Sequence, residues 1–251
     1  MSDHLASTFA AELNSRTYPN RGVHGRLVEV IGQRIVGDAL APGTALPREA
    51  ELMDEFQASR TAVREAIKVL AAKGLVESRQ KRGMRVRAQD DWNLLDPDVL
   101  AWYAASSPSA ELMAQMVELR RMIEPTAARL AAERRTEAQL AELDLALAAM
   151  RDALDDLVAY YEADLAFHRA VFSASGNPFV DRWGAIVAVI LEVSFRLQQR
   201  SLIPPATGLA LHGPALDAIR AQDPSAAEAA MQAIIEAAAV ELEIATRAAG
   251  H

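Results

Sequence analysis

No cysteine occurs anywhere in the chain, which excludes disulfides and any thiolate metal site. Aromatic residues make up only 5% of the 251 positions, although 51% are hydrophobic. The apolar mass is therefore Ala, Leu, Val and Ile, a composition that favours helices over sheets. No run approaches the ~18 consecutive apolar residues of a membrane-spanning helix, and the first residues lack the basic flank and apolar core of an export signal. These absences predict a soluble, cytoplasmic, mainly α-helical protein with no membrane partner. The length allows one large or two modest cores.

What is present is unevenly distributed. The chain carries a formal charge of −8, yet residues 21–88 hold 13 basic and 8 acidic side chains, whereas residues 89–251 hold 12 and 24. The acidic part is poorly suited to meeting DNA itself and must do something else. Apolar spacing and turn residues suggest the order: a mobile arm over residues 1–22, a compact unit over 23–88, a polar linker over 89–97 that contains Trp92, and helices from 98 to 247.

Within the first unit, Val23 to Asp38 shows Leu27, Val30, Ile31 and Ile35 at helical spacing. Pro47 to Phe56 reads as a short helix with Leu52 and Phe56 inward. Gln57 and Ala58 are the only spacer before a longer helix, Ser59 to Leu75, which Ser59 can cap and whose Val63, Ile67 and Leu70 face a core. Helices joined so tightly cross steeply, as in a helix-turn-helix. Arg60, Thr61 and Arg64 are left on the outer face. A two-stranded wing follows, Leu75 to Arg79 and Met84 to Ala88, turning through Arg82 and Gly83, where glycine supplies the positive φ. From Ser59 to Arg87 there are nine basic residues and two acidic ones. A basic run on one helix is most often a solvated face, but here the positives share a helix, its turn and a hairpin, where phosphate contacts need them.

The stretch ALAPGTALPREAELMDEFQASRTAVREAIKVLAAKGLVESRQKRGMRV resembles the winged helix of the GntR superfamily over about fifty contiguous residues. The resemblance implies that Ser59, Arg60, Thr61 and Arg64 meet bases and phosphates in the major groove of double-stranded DNA, and that Arg82 and Gly83 bring the wing to the minor groove. One departure is Ala50, which stands where many relatives carry a DNA-contacting arginine.

After Asp98 every segment reads as helix, and seven helices with short loops suggest an antiparallel bundle. Asp164 and His168 lie four residues apart inside the apolar stripe of Leu157, Tyr161, Leu165 and Val171, so they project together inward. His212 falls on the inward side of a later helix, expected over Leu211 to Ala221. Arg120 and Glu124 form another i, i+4 pair. Any one of these is most often a hydrogen-bonded core residue, but a carboxylate with two imidazoles suits a divalent cation such as zinc.

VELRRMIEPTAARLAAERR, YEADLAFHRAVFSASGNP and ALHGPALDAIRAQDPSAAEAAM are similar to the FCD domain of the FadR-like subgroup. In metal-containing members an Asp-x3-His and two later histidines hold the ion, and a carboxylate effector completes the shell. Asp164, His168 and His212 match three of these positions, and Ile234 stands at the fourth. The order WNLLDPDVLAW then ELRRMIEP is similar to galactonate-responsive repressors and related sugar-acid regulators. That resemblance implies that Arg120 helps bind the acid, with Arg196 and Gln198 as further polar contacts.

Two functions use the same residues. One is a homodimeric regulator that binds a palindromic operator and is released from it by a small sugar acid. The other is a metal-dependent hydrolase of small carboxylates or sugar lactones with a DNA-binding appendage. Catalysis also requires a general base beside the metal, and no HExxH, nucleophile elbow or phosphate loop occurs. The sequence favours the regulator.

Overall fold

The computed structural model describes residues 22–79, 83–106, 110–198 and 204–249, and the chain divides into two compact units, Met1–Ser107 and Pro108–His251. The architecture is mainly α-helical, with a winged helix-turn-helix first and a helical bundle after it. No helix among the described residues is long and apolar enough to cross a membrane. Residues 1–21, most of the expected arm, lie outside the described residues.

In the first unit, α1 (Gly22–Val36) buries Leu27, Val28, Ile31 and Ile35 along one stripe. This stripe packs on α3 (Arg60–Ala72), which presents Val63, Ala66 and Leu70. Ile67, expected in the core, is only half-buried, because the smaller Ala66 takes the closest approach. Helix α2 (Glu49–Phe56) is anchored by the fully buried Leu52 and stops where Gln57 turns left-handed at φ 50. One residue intervenes before Ser59, whose side chain accepts the Ala62 N–H at 3.2 Å and starts α3. Strand β1 (Val76–Arg79) pairs antiparallel with β2 (Gly83–Val86), in the register Val76 to Val86 and Arg79 to Gly83. Gly83 has φ +78 with open space around it, so the position requires glycine for its backbone, not for room.

Helix α4 (Pro97–Ala105) belongs to this unit, whereas sequence patterning assigned Asp98 onward to the second. Two side chains account for the difference. Trp102 is buried against α1 at Gly32, where an added Cβ would lie 2.5 Å from the indole. Lys73, at the end of α3 and 2% exposed, places its ammonium 2.8 Å from Asp96 and 2.5 Å from Asp98. Neither partner is recognisable from local spacing. Trp92 is also buried and donates its indole N–H to the Arg87 carbonyl at 3.1 Å, but Leu94 and Leu95 are exposed.

The second unit contains α5 (Ala110–Arg134), α6 (Glu137–Asp152), α7 (Leu157–Ala174), α8 (Pro178–Gln198), α9 (Pro205–Arg220) and α10 (Pro224–Ala249). Thr136 starts α6 with a capping box: its hydroxyl accepts the Gln139 N–H, and the Gln139 side chain accepts the Thr136 N–H at 2.9 Å. Asp156 caps α7 through the N–H groups of Val158 and Ala159. Helix α9 begins six residues before the predicted Leu211, because Pro205 at its first position is preorganised for a helix start. Helix α5 packs against α7, α9 and α10, and α8 packs on α7 and α10, so the five enclose a common interior.

Candidate functional site

The outer face of α3 carries Ser59, Arg60, Thr61 and Arg64, all exposed. Arg64 has one loose ionic neighbour, Glu49 at 3.7 Å, with both side chains largely in solvent. Screening makes such a pair weak, so the guanidinium can be redirected. The Ser59 oxygen already accepts a cap bond, but its hydroxyl proton can still be donated. Gly83 sits at the start of β2, and Arg82 lies outside the described residues.

In the second unit a cavity of about 110 Å³ is lined by all five helices that meet there. A single water needs only about 10–15 Å³ by the same measure, so the space suits a small organic molecule. Helix α5 contributes Arg120, α7 contributes Tyr160, Asp164 and His168, and α9 contributes His212. The side chains of Arg196 and Gln198 lie outside the described residues.

Asp164, His168 and His212 offer ligand atoms that all lie within 4.8 Å of one another. Their hydrogen bonds determine which nitrogens are available. His212 Nδ1 is 2.8 Å from the Gly208 carbonyl, which only accepts, so Nδ1 carries a proton, and Nε2 faces Asp164 Oδ1, 3.0 Å away. His168 Nδ1 lies 2.6 Å from Glu124 Oε2, somewhat off the line of a hydrogen bond, and its Nε2 faces Asp164 Oδ1 at 3.9 Å. Phe167 meets His212 edge-on at 5.0 Å between centroids, and the two imidazoles stand nearly perpendicular at 5.5 Å. Both rings are thus held by packing, each with one nitrogen tied back and the other facing the carboxylate. Electron-rich atoms facing one another at these distances require a proton or a cation between them, and the donor set suits a divalent ion.

Arg120 and Glu124 are each 1% exposed. The Arg120 Nε–H donates to Glu124 Oε1, and Nη2 reaches Oε2 at 3.4 Å. Burial alone would raise the Glu124 pKa, but Arg120 and His168 outweigh it and hold the carboxyl at about 2. Asp164 is likewise held below its ordinary value, since His212, His168 and Arg120 outweigh its burial.

The sequence pairs Glu124 with Arg120 but does not show its contact with His168, which crosses from α5 to α7. Glu124→Gln should therefore destabilise the protein at neutral pH. Because the folded pKa is lowered, the carboxylate's contribution is present above its ordinary 4.5 and is lost as pH falls towards 2. Melting temperatures of the variant and the wild type should converge over that window, and an offset that does not change with pH would contradict the assignment.

Ile234 is buried and lines the cavity, so no imidazole is supplied from that position. Tyr160, Ser194 and Phe195 also line it. No motif marks these three, and only the tertiary fold brings them together.

The family described as "Bacterial regulatory proteins, gntR family" matches residues 24–86, and that described as "FCD domain" matches residues 115–237. The Galactonate operon transcriptional repressor of Escherichia coli (strain K12) is 37% identical over 213 residues, 84% of this chain and 92% of its own. The HTH-type transcriptional repressor NanR of Cronobacter sakazakii (strain ATCC BAA-894) is 30% identical over 239 residues, 92% of this chain and 89% of its own. A solved structure described as "Lar controls the expression of the Listeria monocytogenes agr system and mediates virulence" superposes with a TM-score of 0.62 over 90% of this chain and 99% of that one. At 17% identity that likeness is one of fold alone.

Proposed function

We propose, from the premise that this chain belongs to the gntR family of bacterial regulatory proteins and carries an FCD domain, that this DNA-binding transcriptional regulator is a repressor released by a sugar acid. The acid, a galactonate-like aldonate or related hexonate, binds in the cavity of the second unit. The observation that carries this reading is the buried set of Arg120, Glu124, Asp164, His168 and His212 around a cavity of small-molecule size. The galactonate repressor at 37% identity supports the choice of acid.

Charge determines how an anion can enter. Arg120 is already paired with Glu124, and Asp164 adds a second carboxylate facing the two imidazoles, so a positive charge beside Asp164 favours the entry of an anion. Asp164, His168 and His212 would hold a divalent cation, zinc by donor type, and such an ion supplies the positive field and open coordination positions that an acid and its hydroxyls can use. The Gly208 carbonyl holds the proton on His212 Nδ1, which leaves Nε2 for the cation, and Glu124 stands beside His168 Nδ1. Arg120 keeps a terminal guanidinium edge for the carboxylate while Glu124 holds its Nε side.

On the DNA side, one recognition helix reads only a few base pairs, so we place the chain as a homodimer on a palindromic operator, one α3 per half-site. A thermal-shift screen of sugar acids, with and without chelator, tests the effector and the cation together. Ligands bound only by the folded state raise the melting temperature. Aldonates should do so in zinc-containing buffer and lose most of the effect with chelator, whereas a shift indifferent to chelator would remove the cation from the account.

A further inference from the structure

One polar group of the cavity has no part in the reading above. Tyr160 lines the cavity four residues before Asp164, which itself precedes His168 by four, so the three form a ladder along one face of α7. The Tyr160 hydroxyl oxygen is shut off from bulk water and has no hydrogen-bond partner among the described residues. It lies against the first turns of α9 at Gly208, where an added Cβ would come within 2.8 Å of it. A glycine at 208 is what admits the phenol, and the carbonyl of that same residue fixes His212. Burial, with Asp164 and Glu241 nearby, raises the Tyr160 pKa, so the group is a phenol and can donate. A buried donor without an acceptor is unfavourable in the empty protein and becomes favourable when a ligand brings one.

We propose that the Tyr160 hydroxyl donates a hydrogen bond to the hydroxylated tail of the acid effector and so selects long polyhydroxy acids over short ones. This rests on the acid-binding reading given above. Four residues of helix advance about 6 Å, so Tyr160 stands roughly one turn beyond the point where Asp164, His168 and His212 converge. A three-carbon acid held at that end falls short of the phenol, whereas an extended six-carbon aldonate reaches it.

Tyr160→Phe removes only the oxygen. Calorimetric titration of the full chain in zinc-containing buffer should show that the wild type binds galactonate more tightly than lactate. The variant should lose about tenfold in galactonate affinity, the size expected when one buried hydrogen bond to ligand is deleted, while its lactate affinity stays within about twofold. Without ligand, its melting temperature should equal or exceed that of the wild type, because the deleted group had no partner. Unchanged galactonate binding, an equal loss for both acids, or a lower melting temperature without ligand would each overturn the proposal. Failure of the wild-type protein to bind either acid would overturn the acid-binding reading and this proposal together.

Discussion

Arg60→Ala should weaken binding to the operator by roughly ten- to a hundredfold at fixed salt, and Arg64→Ala should act comparably. The estimate corresponds to about 1–3 kcal/mol for a good base contact in the major groove, and a phosphate contact would instead lower affinity across all sequences and flatten the salt dependence by about one unit of slope. Measuring at two salt concentrations separates the two roles. Both arginines are exposed on α3, and among the described residues Arg64 has only its loose ion pair with Glu49. Their removal should therefore leave the fold intact, and a loss of binding would report on DNA alone. A mobility-shift assay on an operator selected from randomised duplex would show two chains per palindrome. Wild-type affinity in both variants would remove α3 from the interface.

Arg120→Ala should leave the operator complex formed but unresponsive to acid. The guanidinium is the only fixed positive charge among the buried cavity residues described here, and no other one offers a carboxylate two parallel N–H donors. The same substitution also leaves Glu124 buried beside His168 without its principal counter-charge, which commonly costs about 3–5 kcal/mol. Arg120→Lys is therefore the informative companion: it retains a positive charge for Glu124 but loses the planar fork that holds a carboxylate with two bonds. The lysine variant should fold, bind operator normally and need roughly tenfold or more effector for release. Release at the wild-type effector concentration would remove Arg120 from the effector site.

Much of the first unit's fold is legible in the sequence. The helix-turn-helix and wing follow from local signals, namely the Ser59 cap, the two-residue spacer before it and Gly83, and each of these acts within a few residues of chain. Asp164 and His168 were legible as a pair for the same reason, since helical spacing alone puts them side by side. Distant contacts were not. That α4 packs on α1 depends on Trp102 meeting a glycine 70 positions earlier and on Lys73 reaching across to Asp98, and nothing local marks either. Tyr160 is not legible in the sequence, because an orphaned hydroxyl is defined by what surrounds it in space. His212 was placed on the correct side of its helix even though the helix start was misjudged, because periodicity survives an error in the boundary.

In the proposed dimer the effector must favour one arrangement over another, since a ligand with equal affinity for both states shifts nothing. The central claim is thus that acid binding in the second unit and operator binding by the first are mutually exclusive. Fluorescence anisotropy of labelled operator bound by the full-length wild-type protein, titrated with galactonate in zinc-containing buffer, measures that coupling directly. The account predicts a fall to the free-DNA value, reversed by Arg120→Lys unless effector is raised about tenfold. Anisotropy that stays high, or rises, at galactonate concentrations that calorimetry shows to be saturating would contradict it.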